Sequence, residues 1–274
     1  MQLLVSVRSA AEVGAALGGG ADIIDAKEPS RGPLGPVSPA TLRAILAQVP
    51  PECPFSVALG DLASPEAVIT AIASLELAVR PAPTYLKLGF AGLCSPEIVT
   101  RILATAVTGA AESGCVAQVV AVAYADFERA GSIAPDLLTA IARAAGAAGV
   151  LLDTHTKDGN GLLAWRVRPQ LDSWVACARR EGLLTALAGA LTLENLETVC
   201  ATEADVIGVR GGACEGGRGG QVSANRVRAL RERLDAFGFY STTDSLGQGR
   251  GGETPDGAAS PPRDTRAKLL RTNT

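Results

Sequence analysis

Lysine is scarce in this chain. Of its 25 basic residues only four are lysine, at positions 27, 87, 157 and 268, and the rest are arginine. Histidine is scarcer still, with His155 alone, and the six cysteines (53, 94, 115, 177, 200 and 214) form no C-x-x-C pair and no cluster with it. That spacing argues against a zinc site and against a disulfide framework, and it fits reduced cysteines in a cytoplasmic protein. No apolar run approaches the 18 or more residues of a membrane span, and Met1 leads straight into Leu3-Leu4-Val5-Ser6-Val7 without a basic leader. A cytoplasmic location and no membrane partner are therefore expected. There is no basic excess either: the formal charge of -3 and the pI near 5.4 argue against nucleic acid as a partner. Any anionic substrate must be held locally.

What is present is a regular alternation. Eight short apolar runs, at about 3–7, 22–26, 55–59, 84–88, 117–123, 149–153, 183–188 and 205–209, are separated by helix-like segments, and their starts lie 19 to 34 residues apart. That is the spacing of βα units. Ser38-Pro39, Ser64-Pro65-Glu66 and Ser95-Pro96-Glu97 each place an N-cap serine before a proline at the first helical position. The reading is a single (β/α)8 barrel over residues 1–239, of the TIM-barrel class, closed by a helix over Gln221 to Phe239 with Ser223 as its cap. An open doubly wound sheet is disfavoured because Val5-Ser6-Val7-Arg8-Ser9 has no glycine fingerprint. Residues 240–274 are rich in Gly, Pro, Ser, Thr and mixed charge, with few large aliphatics, and read as a low-complexity, disordered tail.

In such a barrel the carboxyl ends of the strands form the active face, so strand-closing residues are tested first. Lys27 closes the second run, Lys87 the fourth and Asp153 the sixth, while Lys157 follows in the Asp153-Thr154-His155-Thr156-Lys157 loop. Arginine replaces lysine wherever a positive charge suffices, but it cannot lose its proton near neutral pH or attack a carbonyl. Three of four lysines at or just beyond strand ends therefore point to amine chemistry. Asp25 shares a strand side with Lys27, and with Asp153 it balances the cluster or carries protons. A plain ion pair with a nearby lysine is an equally open reading for either aspartate. Gly189, Arg210, Gly211 and Gly212 follow the seventh and eighth runs, where barrels frequently build a phosphate site from backbone N–H groups, with Arg210 as a charged fork. Arg31 in the loop after Lys27 is placed to meet a second anion, and Tyr124 is a candidate donor. His155 receives no role, and the single Gly216-Gly217-Arg218-Gly219-Gly220 stretch is too short to signal RNA binding.

Several motifs together carry a resemblance: Asp25-Ala26-Lys27-Glu28-Pro29 with Gly32 and Leu34-Gly35, Tyr85-Leu86-Lys87-Leu88-Gly89, Leu152-Asp153-Thr154 with Lys157-Asp158-Gly159, Leu187-Ala188-Gly189, and Gly208-Val209-Arg210-Gly211. In register over nearly all of residues 1–235, the chain resembles the (5-formylfuran-3-yl)methyl phosphate synthase family, which makes the furan of methanofuran-type one-carbon carriers. The resemblance implies a carbon–oxygen lyase of class I aldolase type that joins two molecules of glyceraldehyde 3-phosphate with loss of phosphate and water. It implies no metal and no organic cofactor, a Schiff base on Lys27 and proton transfer by Lys87. Asp25, Asp153 and Lys157 then serve orientation and proton transfer. A different sugar-phosphate aldolase of the deoxyribose-phosphate kind, or a non-catalytic phosphometabolite-binding barrel, stays open as an alternative, and so does a homo-oligomer.

Overall fold

In a computed structural model of the chain, which describes residues 1–77, 79–114 and 117–244, the eight apolar runs are eight parallel strands closed into one barrel in chain order. They are β1 (Gln2–Val7), β2 (Ile23–Ala26), β3 (Phe55–Asp61), β4 (Thr84–Gly89), β5 (Gln118–Tyr124), β6 (Gly149–Asp153), β7 (Leu184–Leu187) and β8 (Val206–Val209). Pairing of β1 with β8, Leu4 opposite Gly208, closes the ring.

The helices between them are α1 (Ala10–Gly18), α2 (Pro39–Leu46), α3 (Pro65–Ala73), α4 (Pro96–Glu112), α5 (Phe127–Ala130), α6 (Pro135–Ala145), α7 (Leu162–Trp165), α8 (Arg168–Arg180) and α9 (Leu196–Cys200). The predicted serine caps are in place: the hydroxyls of Ser38, Ser64 and Ser95 accept from the N–H groups of Thr41, Ala67 and Ile98. Each satisfies one of the donors that a helix start leaves orphaned.

Successive strand residues face opposite sides, and the two sides make two cores. Leu3, Val5 and Val7 of β1, with Ile24, Phe55, Val57, Leu86 and Leu88, pack outward under the helices and are at most 1% exposed. Ile23, Ala58, Val120, Val122, Leu151, Ala186 and Val206 face the barrel interior. Many of the inward side chains are small, so the interior is not filled. A cavity of about 570 Å³ opens at the carboxyl ends of the strands and reaches inward as far as Leu4, Tyr85 and Leu184.

After β8 the chain makes a small antiparallel pair, β9 (Cys214–Glu215) with β10 (Gln221–Val222), around a 3-10 turn at Gly217–Gly219. The final helix, α10 (Ala224–Asp244), begins three residues later than Gln221 and runs five residues past the expected barrel boundary at 239. Its Val227, Leu230 and Leu234 are buried in the outer core, which ties the helix to the barrel. The low-complexity reading of residues 240–274 falls, beyond Asp244, outside the described residues. Among those described, no helix is long and apolar enough to cross a membrane.

Candidate active site

Three of the four lysines converge on the cavity, but they do not behave alike. Lys87 lies within β4, two residues before its end, and its Nζ sits 2.7 Å from Asp25 Oδ1 with both side chains buried. Asp25 is further held by Ser6, whose hydroxyl donates to Oδ2 at 2.7 Å. Burial alone pushes the Asp25 carboxyl up, but Lys87 and then Lys27, with the hydrogen bonds from Lys87 and Ser6, outweigh it and keep it below the usual carboxylate range. A second pair stands across the mouth. Lys157 Nζ donates to Asp153 Oδ1 at 2.9 Å and to Thr154 Oγ1 at 3.1 Å. Asp153 accepts from the Thr154 N–H as well, and again the opposing lysines overcome the cost of burial and lower its pKa.

Lys27 stands between these pairs and belongs to neither. It follows β2 directly, where its N–H donates to the Val7 carbonyl, so the backbone carrying it is fixed to β1. Its side chain is 8% exposed and lines the cavity, and its amine has no hydrogen-bond or ion-pair partner among the described residues. Burial first, and the Lys87 ammonium second, pull its pKa down to about 8 from 10.5, while Asp153 and Asp25 oppose the shift. A buried, unpartnered lysine near neutrality is a nucleophile within reach of physiological pH.

The loops after β7 and β8, where a phosphate site is expected, expose backbone donors to the cavity. Gly189 has φ +112°, and a side chain there would press on Thr154 and Leu162. Ala190 follows with φ 50°, a left-handed conformation that costs a non-glycine residue about 1–2 kcal/mol. The Gly189 carbonyl is pinned by the Leu162 N–H at the start of α7. The N–H groups of Gly189, Ala190, Gly211 and Gly212 have no partner among the described residues, and all four residues line the cavity. Unpaired backbone donors in adjoining loops are a ready phosphate cradle.

Arg210 is not the charged fork expected there. All five of its N–H donors are committed: to both Glu12 oxygens, and to the carbonyls of Ser6, Arg218 and Gly220. A buried guanidinium must be fully paired, and Glu12 of α1 supplies the countercharge at 2.6 Å. Arg210 therefore knits β8 to α1 and the β9–β10 loop. Arg31 stands outside the cavity and donates weakly to the Pro36 carbonyl at 3.4 Å. Its place at the mouth is taken by Arg218, which lines the cavity and donates to the carbonyls of Pro29 and Gly32, tying the loop after Lys27 to the loop after β8. Tyr124 is buried, donates to Asp61 Oδ1 at 2.7 Å and meets the His155 ring edge-on at 5.1 Å. It does not line the cavity.

A cluster of lysines and aspartates beside free backbone donors in two adjoining loops, in a closed barrel, can be set beside known proteins. The model of a family described as 4-HFC-P synthase matches residues 3–231. The chain belongs to the 4-HFC-P synthase family. It is 35% identical over 239 residues to the (5-formylfuran-3-yl)methyl phosphate synthase of Methanothermobacter thermautotrophicus, covering 86% of this chain and all of that one. To the enzyme of the same name from Archaeoglobus fulgidus it is 36% identical over 237 residues, 85% of this chain and 99% of the relative. Among solved structures, 3-hexulose-6-phosphate synthase from Salmonella typhimurium superposes with a TM-score of 0.59 at 15% identity, over 86% of this chain and 100% of that one. Phosphoribosyl anthranilate isomerase from Thermus thermophilus gives 0.55 at 20%, over 86% and 99%. These two likenesses show the barrel fold.

Within this member of the 4-HFC-P synthase family, strand-end reasoning overlooked Ser6, Ser56 and Arg218. The two serines carried a visible signal, a hydroxyl inside an otherwise apolar strand. Arg218 carried none, because what brings it to the mouth is the β9–β10 loop folding back over β8.

Proposed function

We propose that the protein is a Schiff-base lyase that condenses two molecules of glyceraldehyde 3-phosphate to (5-formylfuran-3-yl)methyl phosphate, for the furan of a methanofuran-type carrier. The observation that carries this reading is the Lys27 amine, buried, without a partner and poised at about 8 between two lysine–aspartate pairs. Membership of the 4-HFC-P synthase family supports the product.

In this reading the neutral Lys27 amine adds to the aldehyde carbon and water leaves to give the imine. Protonated, that imine draws electrons from the neighbouring carbon, so a base can remove its proton to give an enamine. The Lys87–Asp25 pair, in contact at 2.7 Å, serves as the proton-transferring unit. The enamine can expel phosphate from the third carbon, which leaves that carbon as the nucleophilic end of an enol; the branch of the furan requires it to bond the central carbon of the second triose, taken in the ketone form that a 1,2-proton shift produces. Ring closure through a hydroxyl and hydrolysis of the imine then free Lys27. Overall two trioses lose one phosphate and two waters. The free N–H groups of Gly189, Ala190, Gly211 and Gly212 hold a phosphate of the substrate, and Lys157 with Asp153 serves the opposite side of the mouth. Every step uses side chains of this protein and no added cofactor.

The test is product analysis by mass spectrometry and ultraviolet absorbance after incubation with glyceraldehyde 3-phosphate alone. The furan aldehyde and one equivalent of phosphate per product are expected. Condensation only when a second, different aldehyde is supplied would favour another sugar-phosphate aldolase, and binding without consumption would favour a binding protein.

A further inference from the structure

Two serines flank Asp25 on the adjoining strands: Ser6 of β1 and Ser56 of β3 are both in register with it. Their hydroxyls are treated differently. Ser6 donates to Asp25, whose other oxygen is taken by Lys87. Ser56 Oγ, in a residue 1% exposed, has no hydrogen-bond partner among the described residues, although it lines the cavity. Burying a hydroxyl without a partner costs about 1–3 kcal/mol, and alanine would avoid that cost. Ala58, two residues further along β3, faces the same interior. An unsatisfied hydroxyl in the wall of a cavity is therefore matched to an atom of a ligand.

The register says which atom. Lys27 follows Asp25 by two residues, just beyond β2, so the Ser56 backbone lies deeper in the barrel than the Lys27 backbone, whereas the free N–H groups of the β7 and β8 loops lie at the mouth. A triose joined to Lys27 with its phosphate on those N–H groups fills the stretch between them. The space beyond Lys27 is left for a second molecule. There the wall combines Ile23, Val120, Ala186 and Val206 with Ser6 and Lys87, and Tyr85 stands in register with Ser56. We infer that Ser56 holds an uncharged oxygen, hydroxyl or carbonyl, of the triose that is not bound to Lys27, and so is a specificity-determining residue for the condensation. This inference rests on the two-triose, Schiff-base reading of the site.

The experiment compares wild type with Ser56→Ala, and the shape-matched pair Ser56→Thr and Ser56→Val, in three measurements: borohydride-trapped adduct on Lys27, steady-state turnover of glyceraldehyde 3-phosphate, and thermal midpoint without substrate. For Ser56→Ala we expect adduct yield within twofold of wild type, kcat/KM lowered about 10- to 100-fold, the value of one lost hydrogen bond, and an unchanged or raised midpoint. Ser56→Thr should turn over faster than Ser56→Val. Turnover of Ser56→Ala within twofold of wild type, adduct and turnover lost in parallel, or equal rates for the Thr and Val variants would each overturn the inference while leaving the Schiff-base reading intact. A wild-type protein that forms no adduct would overturn both.

Discussion

Asp25 touches Lys87 at 2.7 Å and leaves Lys27, two residues further along the chain, without an ion pair. That division of labour underlies the proposed chemistry. The carboxylate fixes one lysine as a charged partner, and the same two groups act on the other lysine in opposite directions, Lys87 lowering its pKa and Asp25 raising it.

Replacing Lys27 by arginine should keep the positive charge and remove the nucleophile. The variant should fold with an unchanged circular-dichroism spectrum, while turnover falls by at least about a thousandfold, as expected when the covalent route is closed. An active Lys27→Arg protein would take Lys27 out of the mechanism.

The rate should depend on pH through Lys27. Its amine becomes neutral as pH rises through about 8, so kcat/KM should climb up to that region and level off above it. Stability follows the same sign. Between about 8 and 10.5 the unfolded chain holds a proton that the folded chain lacks, so this residue's contribution to stability rises with pH across that window. Asp25 and Asp153 are depressed carboxylates, so their contributions are present above the ordinary carboxylate pKa and lost as pH falls below it. Initial rates and thermal midpoints on one buffer series check both slopes.

Asp25→Asn should do two separable things. It strands the buried Lys87 charge, a loss of about 3–5 kcal/mol by analogy with other broken buried pairs. It also removes a group that raises the pKa of Lys27, so the acid limb of the pH profile should move to lower pH even as turnover falls about 100- to 10,000-fold. Denaturant unfolding and the pH profile read the two effects independently.

Much of this was written in the chain. The eight strands fall within two residues of the apolar runs at every boundary, because an all-parallel sheet buried on both sides demands such runs. The serine–proline caps mark α2, α3 and α4 directly. Three of the four lysine positions pointed to the cavity, and Lys27, Lys87 and Lys157 all line it. Arg210 was misread for a physical reason: glycines beside an arginine at a strand end look like a phosphate fork, and only the fold shows that Glu12, almost two hundred residues away, consumes it. Arg31 and Arg218 exchange places for the same reason. Which arginine reaches the mouth depends on how two loops pack, and no local pattern encodes that.

Glu12→Gln should accordingly be a stability variant. Arg210 and Glu12 are both buried and joined at 2.6 Å, so the unpaired guanidinium should cost about 3–5 kcal/mol. The Lys27 adduct should still form in the fraction that remains folded. Arg218→Gln, by contrast, releases the loop at Pro29 and Gly32, and should raise KM with a smaller change in kcat and a faster proteolytic cut in residues 28–35. Chemical denaturation for the first and limited proteolysis with steady-state kinetics for the second separate these roles.

The central claim is that Lys27 forms an imine, and the direct measurement is borohydride trapping. The protein is incubated with glyceraldehyde 3-phosphate, reduced, digested and mapped by peptide mass spectrometry. A single reduced adduct on Lys27, absent without substrate and absent from Lys27→Arg, is the predicted result. An adduct on Lys87 or Lys157 in place of Lys27, or none on any lysine while substrate is consumed, would contradict the account.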